Sequence, residues 1–343
     1  MTMSDLMPQP TQRVGPLARL PSILAGRGLS LAGILDGLDL TESDLRPETF
    51  LPIRVISSIL DRAALKPGLE EIGLLLASGQ NQAVLGPIGQ LMMSCETLGD
   101  ALGTFSSLQM ANSTAAAAYF HRLGEDYALG FGVYASELPS SHIYDISIAV
   151  GLNIIRDLTA GAIAPHEVLI SRPVPHNPKA YRKYFNCEVR FNESQSCLIL
   201  PGHAAGYKLL TANAAVRESL LNVLQVQMAR ETDVFATRVR HALYPLIVQG
   251  MASYARIATH LNLHPRTLSR RLAKEDISFE QLKDEVRRAI ARKLLARTDV
   301  AVSDIAASLG YAGPSAFVRA FRRWEGSPPS VWRHRTRELN DLL

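Results

Sequence analysis

Two segments of this chain, 48 positions apart, repeat one pattern. The first reads Ile257-Ala258-x-x-Leu261-Asn262, followed by Leu268-x-Arg270-x-Leu272. The second reads Ile305-Ala306-x-x-Leu309-Gly310, followed by Phe317-x-Arg319-x-Phe321. Apolar residues three and four positions apart share one helical face, so each half of each pattern reads as a short helix with one buried stripe. Asn262 and Gly310 tolerate the left-handed backbone that ends the first helix. Pro265 and Pro314 suit the first turn of the second, where a missing N–H does no harm. Two short helices joined this way form a helix-turn-helix, whose second helix is shaped to enter a DNA major groove.

Within the first motif, 253–274, Ser253 is the expected N-cap and Leu268 and Leu272 point inward. Arg266, Thr267, Ser269, Arg270 and Lys274 are then the candidate DNA contacts. Ser278 and Gln281 form a capping box that opens a helix to about Arg297, striped by Phe279, Leu282, Val286, Ile290 and Leu294. Its length of roughly 28 Å approaches the roughly 34 Å between successive major grooves on one DNA face. In the second motif, 303–325, Ser303 is the expected cap. Pro314, Ser315, Ala316, Arg319, Arg322 and Arg323 are the candidate contacts. Arg270 and Arg319 hold matching places and suit guanine edges, whereas Arg322 and Arg323 lie further along and suit phosphate. Leu268 and Phe317 are 49 positions apart, so the second turn is one residue longer.

The charge follows the motifs. The chain of 343 residues has a net charge of +4, but residues 236–343 hold 19 Lys+Arg against 10 Asp+Glu. The remainder is therefore acidic overall. Phosphate neutralisation drives most non-specific DNA affinity, so the basic end and the motif end coincide as a DNA reader requires.

Ahead of the motifs the pattern is mixed. Residues 1–16 read as a flexible tail without a signal peptide's basic-then-apolar order. Helical periodicity runs from Leu17 to about Leu76 and again over 86–94 and 98–110, with Thr97 as a cap. Thr114–His121 and Tyr127–Tyr134 read as a β-hairpin, with Gly130-x-Gly132 as a close packing point. His142–Thr159 reads as a long helix, Val168–Ser171 as a strand, Pro178–Phe185 as a short helix, and Val189–Phe191 with Cys197–Leu200 as a strand pair. The expected fold class is thus an α+β effector and dimerisation domain over 17–213 and a helical linker over 214–235. An all-α domain over 236–343 follows, with two helix-turn-helix motifs joined by a linker helix. No run of about 20 apolar residues is present, so no transmembrane helix is expected. Cys95, Cys187 and Cys197 lack zinc-ligand spacing, and an odd, sparse count fits a reducing cytoplasm.

Around the second motif, Ile305-Ala306-x-x-Leu309-Gly310-Tyr311, Ser315-x-Phe317-x-Arg319-Ala320-Phe321-Arg322-Arg323-Trp324-x-Gly326 and Pro329-x-x-Trp332-Arg333 closely resemble the signature of the AraC/XylS family of bacterial transcription regulators. Arg287-x-Ala289 and Leu294-Leu295 fit that family's linker helix. Pro328, where Thr or Ser is common, Asn262 at the first turn and Pro314 in the second recognition helix's first turn are departures. The first half is similar to the arabinose-binding-like domain of the ornithine-utilisation type, through Leu85-Gly86-Pro87-Ile88-Gly89, Thr97-Leu98-Gly99-Asp100-Ala101-Leu102 and Tyr181-x-x-Tyr184-Phe185-x-x-x-Val189-x-Phe191. The resemblance implies effector sensing and self-association, promoter DNA and RNA polymerase as partners, and a cytoplasmic activator.

No catalytic, metal or cofactor site is expected. The histidines are scattered, and no nucleophile elbow, phosphate loop or dinucleotide fingerprint occurs. A mixed domain of about 200 residues exceeds what a DNA reader requires, which favours a bound small molecule. Tyr119, Phe131, Tyr134 and Arg156 are the candidate effector contacts, Arg156 as a carboxylate anchor. The alternative is a DNA-organising protein without an effector, whose first domain only dimerises.

Overall fold

The computed structural model describes residues 9–231 and 234–341, with side chains up to 224 and from 234 to 338. The first described element corrects the expected tail. Thr11–Arg13 is a strand, β1, antiparallel to β2 (Phe50–Pro52). It is held on both sides, because Arg13 N also donates to Asn112 O at 2.8 Å and Thr11 N to Thr114 Oγ1 at 2.9 Å. The rest of the expected tail, residues 1–8, and the expected break at 232–233 lie outside the described residues.

The α+β half runs through α1 (Leu20–Ala25), α2 (Ala32–Leu35), α3 (Ile53–Ala64), α4 (Ile72–Ala77), α5 (Pro87–Met93) and α6 (Leu98–Leu108). It continues with β3 (Ala116–Leu123), β4 (Asp126–Val133), α7 (Ser141–Leu158), β5 (Glu167–Ile170), α8 (Pro178–Phe185), β6 (Glu188–Phe191), β7 (Ser196–Leu200) and α9 (Ala214–Glu231). Thr97 caps α6, accepting from Asp100 N at 3.1 Å. The five-stranded sheet has the order β3-β4-β7-β5-β6. The last two strands are not the pair their sequence suggests. β5 lies between them, antiparallel to β7 and parallel to β6, because α8 carries the chain back before β6 begins.

Alternation along the hairpin builds two different faces. Leu129, Phe131 and Val133 of β4 face the helices, packing with Ile148 and Leu152 of α7. Ala128 of β4, Tyr119 of β3 and Cys197 and Ile199 of β7 face the other way. That second face is covered by α10 (Phe235–Val248), through Val239, Leu243, Tyr244 and Ile247. Gly130 and Gly132 make this possible. A methyl at Gly130 would overlap the Tyr119 ring, and one at Gly132 would overlap the Tyr244 ring. The two tyrosines stack at 6.3 Å between ring centres. Leu220 and Leu224 of α9 pack on the first half itself, leaving Val216 and Val223 exposed.

The chain then forms α11 (Tyr254–His260), α12 (Pro265–Ala273), α13 (Phe279–Arg297), α14 (Val302–Ser308), α15 (Pro314–Glu325) and α16 (Pro329–Asp341). The core of this helical half is continuous with the residues on the outer face of the sheet. Glu275, in the turn after α12, accepts from Phe235 N at 2.6 Å and Ala236 N at 2.9 Å, which caps α10. Among the described residues no helix is long and apolar enough to cross a membrane.

Candidate functional site

The two helix-turn-helix units are built by local sequence. Ser253 accepts from Arg256 N at 3.4 Å at the start of α11. Asn262 takes a φ of 53° and lets Leu263 N close on Ala258 O at 2.8 Å. His264 accepts from Arg266 N at 3.2 Å, and Pro265 is the first residue of α12. Ile257, Ala258, Leu268 and Leu272 are buried, as their spacing requires. Arg266, Ser269, Arg270 and Lys274 are exposed, and Thr267 is half-buried. His264, Arg266, Thr267, Ser269 and Arg270 line one open groove. Arg271 sits over the Phe235 ring at 5.3 Å, tying α12 to α10 instead of reaching outward.

The second unit repeats this with one difference at its start. Ser303 does not cap α14. The helix begins at Val302, with Ala301 in the N-cap position, and Ser303 Oγ turns to Asp304 Oδ1 at 3.4 Å. Gly310 takes a φ of 70°, and Tyr311 N closes on Ala306 O at 3.0 Å. Residues 309–313 separate α14 from α15 where 261–264 separate α11 from α12, one residue more. Phe317 and Phe321 are buried, Pro314, Ser315, Arg319 and Arg322 are exposed, and Ala316 is half-buried.

The arginines divide by their partners. Arg266, Arg270, Arg319 and Arg322 form no ion pair among the described residues. Arg323 is engaged with Asp284 of α13, which also accepts from Trp324 Nε1 at 3.3 Å. Arg288 pairs with Glu325 at 2.6 Å, and Arg292 lies 3.7 Å from the same carboxylate. Arg287 stacks on Tyr311 at 4.6 Å and donates to Gly310 O at 3.3 Å. These contacts clamp α13 to the second unit.

In the first half a largely apolar cavity of about 110 Å³ lies between β1, the inner face of the sheet and α7. Phe131 lines it. The other three effector candidates do not. Tyr119 and Tyr134 lie on the opposite face, against α10, because alternation sends them outward. Tyr119 Oη donates to Gln195 Oε1 at 3.0 Å, and Tyr134 packs edge-on against His241. Arg156 Nη2 donates to Tyr184 O and Phe185 O at 3.3 and 3.2 Å, closing the C-terminal end of α8. The residues that sequence reasoning missed are Gln12, Arg13 and Gln109, which supply most of the polar lining. A three-residue strand leaves no periodic signal, so Arg13 reads as tail.

Two other polar sites are structural in geometry. Asp145 is fully buried and joined to Arg172, to Tyr181 Oη at 2.9 Å and to His142 Nδ1 at 3.4 Å. Burial opposes its charge, but Arg172 holds its carboxyl below the ordinary value. Tyr181 thereby links α8 to α7. At the seam between the halves, Lys293 Nζ of α13 lies 4.7 Å from the centre of the Tyr144 ring of α7, buried and without a hydrogen-bond partner. Desolvation lowers its pKa from 10.5 to about 7. His241, also in the seam, is lowered by burial to about 4. Among the described residues no cluster of His, Cys, Asp and Glu is placed to hold a metal.

Comparison with known proteins gives two family matches. Residues 28–209 match the arabinose-binding domain of AraC transcription regulators, and residues 257–335 match a helix-turn-helix domain. The chain is 28% identical over 290 residues to the HTH-type transcriptional regulator VirS of Mycobacterium tuberculosis, covering 83% of this chain and 85% of that one. It is 27% identical over 290 residues to the ornithine utilization regulator of Pseudomonas aeruginosa, covering 78% and 79%. The crystal structure of the transcriptional regulator CdpR from Pseudomonas aeruginosa aligns over 93% of this chain and 97% of that one, at 22% identity and a TM-score of 0.47.

Proposed function

Because the chain belongs to the AraC family of transcription regulators, we propose that it is a cytoplasmic activator whose promoter binding is set by a small effector in the cavity beneath β1. DNA binding by the helix-turn-helix region and regulation of transcription come with the family. The effector, the homodimer, the contact with RNA polymerase and the sign of regulation are the proposal.

The observation that carries it is the two-faced hairpin. Phe131 of β4 lines the cavity, while its neighbours Gly130 and Gly132 make room for the tyrosines that seat α10. A ligand that shifts β4 on one face moves the surface on which the helical half rests. In this mechanism coupling needs no long wire, because one strand touches both sites. Arg266, Arg270, Arg319 and Arg322 then meet the DNA, the first motif reading one groove and the second the next. The exposed Val216 and Val223 of α9 are the surface assigned to self-association.

Sequencing the DNA bound by the chain in cells, together with transcripts of the neighbouring genes, tests the reading. A few promoters with a shared motif, and transcripts that fall when the chain is removed, are expected. Occupancy spread along the genome without sequence preference would favour the DNA-organising alternative.

A further inference from the structure

We propose that the cavity beneath β1 takes a short-chain carboxylate, its carboxylate held by Arg13 and its apolar tail lying between β4 and α7. The proposal rests on the effector reading above and names the ligand class for that site.

The shape of the cavity sets the tail. Its walls are apolar side chains such as Leu129 and Phe131 of β4, Leu198 of β7 and Ile146 and Val150 of α7. A dry cavity of roughly 150 Å³ accommodates benzene. The volume here, about 110 Å³, suits a tail of about four to six carbons.

The polar groups gather where β1 crosses the junction of α6 and β3. Arg13 N bonds to Asn112 O there, and Asn112 N bonds to Gln109 O, both at 2.8 Å. Three groups at that end are left unsatisfied. Arg13 Nε, Gln12 Oε1 and Gln109 Oε1 are shielded from water and have no hydrogen-bond partner, although Gln109 is only 3% exposed. Unmet buried polar groups mark a missing partner. Among the described residues no acidic side chain lines the cavity and Arg13 forms no ion pair. Burial lowers the pKa of its guanidinium, and only Glu48 counters that, from a distance. A half-buried guanidinium whose Nε is shielded and unpaired matches a carboxylate, the planar anion that its fork binds in two places.

Gly86 supports the assignment. A methyl there would lie 2.8 Å from Arg13 Nη1 and 3.1 Å from Cζ, so the guanidinium rests on this glycine. Its φ of 61° also excludes most side chains. Arg13 lies ahead of residues 28–209, the segment that matches the arabinose-binding domain.

Thermal denaturation of the full chain with sodium pentanoate, pentanamide or 1-pentanol tests the proposal. At roughly 10 mM, pentanoate should raise Tm by about 2–6 °C, and the uncharged analogues by less than about a third of that. Arg13→Gln should erase the preference for the acid, and Arg13→Lys should keep part of it. Melting of each ligand-free variant establishes that it is folded. Gly151→Val should abolish stabilisation by all three. At Gly151 an added Cβ would make ordinary contacts, 3.6 Å to Leu129 and 3.7 Å to Leu198, with the rest of the side chain entering the cavity. Equal shifts from acid and amide, a preference that survives Arg13→Gln, or no shift with butanoate, pentanoate or hexanoate would overturn the carboxylate assignment. An uncharged compound that stabilises the wild type but not Gly151→Val would keep the cavity as the effector site and remove only its ligand class. Equal stabilisation of Gly151→Val and wild type would remove the site itself.

Discussion

Lys293→Met tests whether the seam between the two halves is held against an electrostatic penalty. Lys293 is 1% exposed, its Nζ has no hydrogen-bond partner, and it lies 4.7 Å from the centre of the Tyr144 ring. The drop in its pKa from 10.5 to about 7, at about 1.4 kcal/mol for each tenfold change in proton affinity, places about 5 kcal/mol against burial at neutral pH. Met keeps the length of the stem and removes the ammonium. Part of that penalty should be recovered, about 1–4 kcal/mol by analogy with buried charges replaced by apolar groups. For a chain of this size the gain corresponds to a rise in Tm of about 3–10 °C. The pH dependence carries the more specific signature. The buried amine has the lower pKa, so burying it releases a proton between about pH 7 and 10.5. The wild type should therefore gain stability as pH rises through that window, with the full penalty below pH 7. Lys293→Met should lack this slope, so the gap between the two proteins should narrow steadily from pH 7 to 9. Melting followed by circular dichroism at pH 7, 8 and 9 is the assay. Equal Tm at pH 7, or a gap that does not change with pH, would show that Lys293 is not desolvated in the seam.

Other outcomes follow from the same geometry. Arg270→Ala and Arg319→Ala should each lose about 1–3 kcal/mol of discrimination at one position of the binding site while binding to unrelated DNA changes little; unchanged preference in either variant removes that arginine from the reading set. Arg322→Ala should weaken binding to all sequences and make the salt dependence shallower by about one phosphate contact, measured as affinity against salt concentration. Gly132→Ala should destabilise by about 1–3 kcal/mol through overlap with the Tyr244 ring. Combined with Tyr244→Ala, its further effect in a denaturant titration should largely vanish, whereas additive losses would contradict the overlap. A fragment of residues 234–343 keeps the Glu275 cap on α10 and should melt cooperatively with a helical spectrum. A disordered fragment would mean that α10 needs the sheet to stay folded.

The helix-turn-helix units were legible because their determinants are local. Caps, left-handed residues and apolar stripes lie within a few positions of one another, and Asn262, Gly310, Pro265 and Pro314 occupy the places their chemistry suits. Ser303 shows the limit, since a good capping residue does not cap when the helix starts one residue ahead of it. The sheet was legible as strands but not as neighbours. Nothing in Glu188–Phe191 or Ser196–Leu200 announces that β5 separates them. Period-two alternation divides the hairpin into two faces but does not say which holds the cavity; Phe131 lines it, and Tyr119 and Tyr134 lie on the opposite face. Arg156 sits among apolar neighbours in sequence, yet its guanidinium reaches the end of α8, a contact 28 residues away. Arg13 carried no signal at all, because its surroundings are built by Gly86, Gln109 and Asn112, each more than 70 positions distant.

The spacing of the two readers is the central claim, and hydroxyl-radical footprinting of the full chain on a selected promoter site measures it. One rigid α13 between α12 and α15 predicts two protected segments on the same face of the duplex, roughly one helical turn or 34 Å apart. Arg270→Ala should weaken protection in one segment and Arg319→Ala in the other. A single protected segment, or two that both fade when either arginine is removed, would contradict the account.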